Sequence, residues 1–199
     1  SFLFRLRRKL KLNPKRSKSY FPEKETCKYD KNIFKSKDMY LDGFWQHENY
    51  FKGIRHDLIK DFTIKNPLSD IVKMYKDRIS KTNSVALHVR NYTKDDANLE
   101  FSYGKPDIKY YKDAVDIMHS QLERPFFFIF SNDIVWCKEN LGFIENKLFI
   151  DATESALDDF ELMKYCNHNI ISNSTFSWWA AWLNDSDKRV VLAPKHWFV

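Results

Sequence analysis

From Ser84 onward, short apolar runs alternate with stretches whose apolar residues recur at helical spacing, and this alternation limits the possible folds more than any other feature of the 199 residues. Residues 85–89, 126–130, 148–150, 169–171 and 190–193 are nearly all apolar, as strands covered on both faces must be. Between them, Ile108, Tyr111, Val115, Met118 and Leu122 form one helical stripe, and residues 134–141 form a second. A third helix is expected to open on Asp158 and Glu161 in capping-box spacing and to carry Leu162, Met163 and Cys166; a fourth covers residues 176–183. Strands and helices in strict alternation, joined by short links, specify an α/β fold with a doubly wound parallel sheet. In such sheets ligands bind beyond the carboxyl ends of the strands, so the residues just after each strand are the ones to inspect.

The first part of the chain is different. Up to about residue 33 it is polar, broken by Pro14 and Pro22, and no regular element is assigned there. Residues 39–45 read as a short strand with a turn at Asp42-Gly43, followed by two amphipathic helices, one on Phe51, Ile54, Leu58 and Phe62 and one on Leu68, Ile71, Val72, Tyr75 and Ile79. The expected division is therefore 1–80, a basic arm with connecting helices, and 81–199, the sheet.

Charge separates these parts again. The net charge is +6, but the first twenty residues hold eight basic and no acidic side chains, which leaves the remainder slightly acidic. A basic arm on a near-neutral body suits either peripheral contact with an anionic membrane or simply a solvated segment, and weighs against a nucleic-acid-binding body. Cys27, Cys137 and Cys166 cannot all pair internally, which fits a reducing compartment and a cytoplasmic protein, peripheral at the inner face of the membrane. No apolar run approaches the roughly 18 residues of a membrane span.

Two strand ends stand out. The first strand ends His88-Val89-Arg90, placing a guanidinium where it can grip an oxyanion with two parallel hydrogen bonds. His88 itself is more commonly a satisfied core histidine than a catalyst. The strand at 169–171 leads into Asn173-Ser174-Thr175-Phe176 and then Ser177-Trp178-Trp179-Ala180-Ala181-Trp182-Leu183. Hydroxyls and amide N–H groups at a helix N-terminus make a phosphate site, although plain capping explains Ser and Thr equally well. With three tryptophans on more than one face, this helix is expected to be deeply buried and rigidly aimed. Ser131-Asn132-Asp133 ends another strand and suits either a base or ribose contact or a helix cap; of Asp158 and Asp159, one caps and the other suits a guanine edge.

Other signals carry less. Asp185-Ser186-Asp187 resembles a metal-binding D-x-D but lies between a helix and a strand, where a polar loop is expected. No His, Cys or carboxylate cluster has metal spacing, so no metal and no cofactor is expected. Neither G-x-G-x-x-G nor G-x-S-x-G is present, which disfavours a nicotinamide enzyme and the simplest hydrolase.

From about Tyr40 to Phe198 the chain resembles glycosyltransferase family 11, the α-1,2-fucosyltransferases, especially the bacterial ones. Tyr40-Leu41-Asp42-Gly43-Phe44-Trp45-Gln46 is similar to the family's Y-L-D-G-Y-W-Q, and Phe128-Ile129-Phe130-Ser131-Asn132-Asp133 with Trp136 to its F-x-F-S-D-D-x-x-W. The segment from Asp159 to Leu183 is similar to D-x-x-L-M-x-x-C-x-H-N-I-I-x-N-S-[ST]-F-S-W-W-x-A-W-L at nearly every specified position. The resemblance implies a GT-B architecture, a Rossmann-like donor lobe with a mainly helical remnant of the N-terminal lobe, and inverting, metal-independent transfer of L-fucose from GDP-L-fucose to a glycan hydroxyl in surface polysaccharide assembly. It makes Arg90 the group that stabilises the leaving diphosphate and assigns no general base; together with the reading of the strand ends, the expected substrate contacts are His88, Arg90, Ser131, Asp133, Asp159, Asn173, Ser174, Thr175 and Phe176. Two departures are visible. Asn91-Tyr92-Thr93-Lys94 replaces the family's R-G-D-Y after Arg90, and the opening G-G-L-G-N-Q-M segment is missing, so the chain reads as a fragment. A non-catalytic nucleotide-sugar-binding module and a nucleic-acid binder acting through residues 5–18 are the alternatives from other classes.

Overall fold

The structure is a computed structural model that describes residues 20–35, 37–65, 67–91, 104 and 106–197. The chain divides into two compact units, Ser1–Asp61 and Phe62–Val199. The boundary thus lies earlier than residue 80. The expected helix on Leu68 to Ile79 forms as Asp70–Ser80, and it sits with the sheet because Val72, Tyr75 and Ile79 share a buried core with Phe128, Phe130 and Leu162.

In the first unit, strand β1 (Tyr20–Pro22) pairs in parallel with β2 (Tyr40–Asp42). Strand β1 and a 3-10 turn over Lys31–Lys35 occupy a region where no element was expected, because three-residue strands are too short to show a period. The expected strand over 39–45 stops at Asp42. Beyond it the chain passes close to Glu23, whose carboxylate accepts the Phe44 N–H at 2.8 Å. A side chain at Gly43 would bring its Cβ within 2.3 Å of Glu23 Cβ, so this close approach requires glycine. Two 3-10 turns, Glu48–Tyr50 and Lys52–Ile54, precede the first helix, α1 (Arg55–Asp61).

The second unit holds five parallel strands: β3 (Asn83–Val89), β4 (Pro125–Ser131), β5 (Lys147–Phe149), β6 (His168–Ile170) and β7 (Val191–Leu192), in the order β5-β4-β3-β6-β7. The five apolar runs of the sequence are these strands. Helices α2 (Asp70–Ser80), α3 (Ile108–Gln121), α4 (Ile134–Asn140), α5 (Ala156–Tyr165) and α6 (Thr175–Leu183) complete it. Alternating residues serve the two faces of the sheet. Val85, Leu87, Val89, Phe127 and Ile129 meet Tyr111, Val115 and Met118 of α3 and Cys137 of α4. On the opposite face Ala86, Phe128 and Phe130 meet Tyr75 and Ile79 of α2, Leu162 and Met163 of α5, and Ala180 of α6. Burial on both faces explains why these strands lack alternation.

Helix α5 begins two residues before the expected position. Ser155 is its N-cap and accepts from the Asp158 N–H, so the cap lies three residues before Asp158. Glu161 belongs to no cap: it is buried and bridges Lys76 of α2 at 3.2 Å and Lys164 at 2.7 Å. Burial works against its ionisation, but the two ammonium groups prevail and hold the Glu161 carboxyl below its ordinary range. This charge-paired contact fixes α5 to α2.

Helix α6 is seated differently from the expectation. Its buried residues are Ser177, Ala180, Ala181 and Leu183, whereas Trp178, Trp179 and Trp182 are half-buried. Small residues at i, i+3 and i+4 let the helix backbone approach closely, and the indoles pack on one another outside that seam, with Trp178 and Trp182 stacked at 6.2 Å and Trp179 edge-on to both.

Candidate functional site

The strand order places a topological switch between β3 and β6. The chain builds outward from β3 to β4 and β5, then returns to the other side of β3 for β6 and β7. At such a point the connections leave to opposite faces and open a crevice beyond the strand ends. A cleft of about 860 Å³ lies there, within the ordinary size range of small-molecule sites.

Arg90, directly after β3, and Asn173, Ser174, Thr175 and Phe176, after β6, all line this cleft. The turn between β6 and α6 is tight, with the Ser174 N–H donating to the Ser172 carbonyl at 2.7 Å. Ser174 occupies the N-cap position of α6 in extended conformation, yet its side chain makes no capping hydrogen bond. The other well-formed helices of the sheet unit are capped in the ordinary way, by Ser69, Asp107, Asp133 and Ser155. The two readings of Ser and Thr at this helix mouth therefore separate: the Ser174 hydroxyl is not engaged in capping, and Ser174, Thr175 and Phe176 at the start of a nine-residue helix line the same cleft as the Arg90 guanidinium.

His88 lines the same cleft from β3. Its Nδ1 lies 2.8 Å from the Ser172 hydroxyl, and its ring packs on Phe176 at 5.9 Å. Burial, reinforced by the Arg90 charge, lowers its pKa to about 3, so the ring is neutral at physiological pH. A neutral imidazole adds no cation to the cleft.

Ser131 and Asp159 also line the cleft, on the β4 and β5 side, together with Ile150 and Thr153. The Thr153 hydroxyl donates to the Asp159 carboxylate at 2.7 Å. Burial pushes the Asp159 carboxyl above its ordinary value; the Thr153 hydrogen bond partly offsets this, and neighbouring Asp158 adds to it. Asp159 is thus a half-buried acceptor facing the ligand space, and the capping of α5 falls to Ser155.

Asp133 is not brought to the cleft. One of its oxygens accepts the Trp136 N–H at 3.0 Å as the N-cap of α4, and the other accepts from Asn91 Nδ2 at 2.8 Å. Its neighbours Asn132 and Ile134 line the cleft in its place. Asn91, where the family pattern has a second arginine, is buried. Its N–H donates to Asn132 Oδ1 at 3.0 Å and its carbonyl accepts from Asn132 Nδ2 at 2.6 Å. Together with the bond to Asp133 this clamps the end of β3 to the end of β4 and fixes the backbone that carries Arg90. Lys94, Asp95, Asp96 and Glu100, which follow Arg90 in sequence, lie outside the described residues. Asp185 and Asp187 are exposed in the loop from α6 to β7, at the end of the sheet opposite the cleft.

Among the lining residues that the sequence reading did not single out are Asp151 and Thr153, just past β5, and Trp197, five residues beyond β7. The first two follow a strand and fall under the same rule as Arg90. Trp197 lies in a tail with no periodicity.

A doubly wound sheet whose switch-point cleft joins a guanidinium to an open helix N-terminus defines a lobe fitted for anionic, phosphate-bearing ligands. Residues 5–198 match Glycosyl transferase family 11, and the chain belongs to that family. Over 162 residues it is 36% identical to an alpha-1,2-colitosyltransferase of Escherichia coli, covering 78% of this chain and 55% of that protein. Over 192 residues it is 29% identical to the O-antigen biosynthesis glycosyltransferase WbnK of Escherichia coli, covering 91% and 63%. The human galactoside alpha-(1,2)-fucosyltransferase 1 is 28% identical over 158 residues, 74% of this chain and 43% of that protein. The chain thus spans about half the length of these relatives. Among solved structures, the fucosyltransferase NodZ from Bradyrhizobium aligns with 67% of the chain at a TM-score of 0.40 and 15% identity, covering 58% of that protein.

Proposed function

We propose that Phe62–Val199 is the donor lobe of a GT-B glycosyltransferase that binds GDP-L-fucose and transfers L-fucose with inversion, without a metal, to a hydroxyl of a surface glycan. The observation that carries this reading is the meeting of Arg90 and the uncapped mouth of α6 in one cleft at the switch point. In the transfer, an acceptor hydroxyl oxygen bonds to the anomeric carbon and gives up its proton to solvent or a base to which no described residue is assigned, the bond from that carbon to the β-phosphate oxygen breaks, and negative charge collects on GDP. Arg90 and the amides and hydroxyls at Ser174 and Thr175 are the groups of this chain that would receive that charge, each in place before the reaction starts. His88, held neutral, packs the floor of the site, and Asp159 would accept hydrogen bonds from the N–H groups of a guanine edge.

The names of the similar proteins support a deoxy-hexose donor and an α-1,2 linkage. The 36% identity to a colitosyltransferase favours colitose as the second candidate for the transferred sugar. Calorimetry with GDP-L-fucose, GDP, UDP-glucose and NAD in parallel tests the donor assignment: the first two should bind and the last two should not. Binding of UDP-glucose or NAD with equal affinity would contradict it. For metal independence, transferase activity should be unchanged in EDTA; a loss restored by Mn2+ would overturn that part.

A further inference from the structure

We propose that Trp197 is the wall against which the transferred sugar stacks, and that it reads the deoxy-hexose and not the nucleotide. The proposal rests on the donor-site reading above and adds a direction to it. Five strands about 4.8 Å apart span roughly 19 Å, so the strand order β5-β4-β3-β6-β7 works as a ruler along the cleft. The diphosphate is fixed near its middle, between Arg90 after β3 and Ser174 and Thr175 after β6. A nucleotide sugar carries its base and its sugar on opposite sides of the diphosphate, so that, bound extended along this cleft, it would set the two toward opposite edges of the sheet.

Those edges differ in chemistry. The β5 side offers the Asp159 carboxylate, held by Thr153 and kept half-buried beside Ile150, an acceptor for N–H donors on a planar base. The β7 side offers Trp197, half-buried and facing the cleft. Asn173 Nδ2 donates to the His196 carbonyl at 3.2 Å, which ties the segment bearing Trp197 to the loop that opens α6. The indole is therefore positioned by the same loop that presents the phosphate-binding amides. A 6-deoxy hexose has an apolar C–H face and a methyl group in place of a hydroxymethyl, and a large rigid aromatic surface suits both at little entropic cost.

The test is titration of the full chain with GDP and with GDP-L-fucose, in the wild type and in Trp197→Ala and Trp197→Phe, with circular dichroism confirming the fold. Trp197→Ala should weaken GDP-L-fucose about tenfold while leaving GDP within about twofold, and Trp197→Phe should recover most of the loss. Equal weakening of GDP and GDP-L-fucose would put the indole against the nucleotide and overturn the proposal, as would no change in either. A wild type that binds neither ligand would overturn the donor-site reading itself, a result distinct from both.

Discussion

The neutral imidazole of His88 has a measurable consequence for the folded state. Its pKa lies near 3 in the fold because burial and the Arg90 guanidinium disfavour the charged form, against about 6.5 when the chain is unfolded. Between those values the unfolded chain binds a proton that the folded one does not, so stability is full above about pH 6.5 and falls as the pH drops toward 3. His168, whose pKa burial also lowers, adds in the same direction: its Nδ1 accepts the Val190 N–H at 3.0 Å, and its Nε2 lies 3.1 Å from Asn83 Oδ1. The denaturation midpoint should therefore decline below pH 6.5, and His88→Gln should flatten that decline; an unaltered pH profile in the variant would contradict the assignment. Asn91 makes a second case. Asn91→Ala removes the side-chain bond to Asp133 and should cost about 1 to 3 kcal/mol in stability, and it should weaken GDP binding by loosening the backbone of Arg90, as a melting curve and a titration would show. Residue-level legibility was uneven for a physical reason. Arg90 could be found because a strand end dictates its position, whereas Asp133 in a capping role and Asp133 in a contact role have the same sequence, and only the structure shows both oxygens occupied.

Helix α6 joins the site to the core. Its first residues line the cleft while Ser177, Ala180 and Ala181 set how closely its backbone meets its neighbours. Its far end is held by Asn184, whose Nδ2 donates to the Cys166 carbonyl at 2.6 Å and to Asn169 Oδ1 at 2.8 Å. Ala180→Leu should push the helix outward, destabilise the protein by about 1 to 3 kcal/mol and displace the first-turn amides, so that thermal stability and GDP affinity fall together; a stability loss with GDP affinity intact would show that the helix mouth is positioned independently of its seam. In the first unit, Gly43→Ala should be destabilising by a similar route, since its Cβ would meet that of Glu23 at 2.3 Å. A tryptophan-rich segment reads as deeply buried, but three indoles need more room than the space beneath the helix allows, and the alanines take the buried seam instead. The start of α5 was missed for a related reason: Asp158 and Glu161 satisfy the capping-box spacing, yet Ser155 three residues earlier satisfies it as well, and Glu161 is drawn inward by Lys76 and Lys164.

For the molecule as a whole, the parallel sheet was legible because strands buried on both faces leave continuous apolar runs, while their order was not, since it depends on pairings such as Val85 with His168 across more than eighty residues. Strand order nevertheless decides where the cleft lies, because it places the ends of β3 and β6 side by side. Trp197 had no local signal at all; its neighbour His196 is tied to the loop before α6 through Asn173. No helix among the described residues is long and apolar enough to cross a membrane, and the peripheral membrane contact inferred from residues 5–18 concerns residues outside those described. The account stands on the joint grip of Arg90 and the α6 mouth on a diphosphate. The direct measurement is calorimetric titration of GDP and of guanosine into the wild type and Arg90→Ala. GDP should bind the wild type about a hundredfold more tightly than guanosine, and most of that advantage should vanish in a folded Arg90→Ala variant; an advantage that survives the substitution, or that is missing from the wild type, would contradict the account.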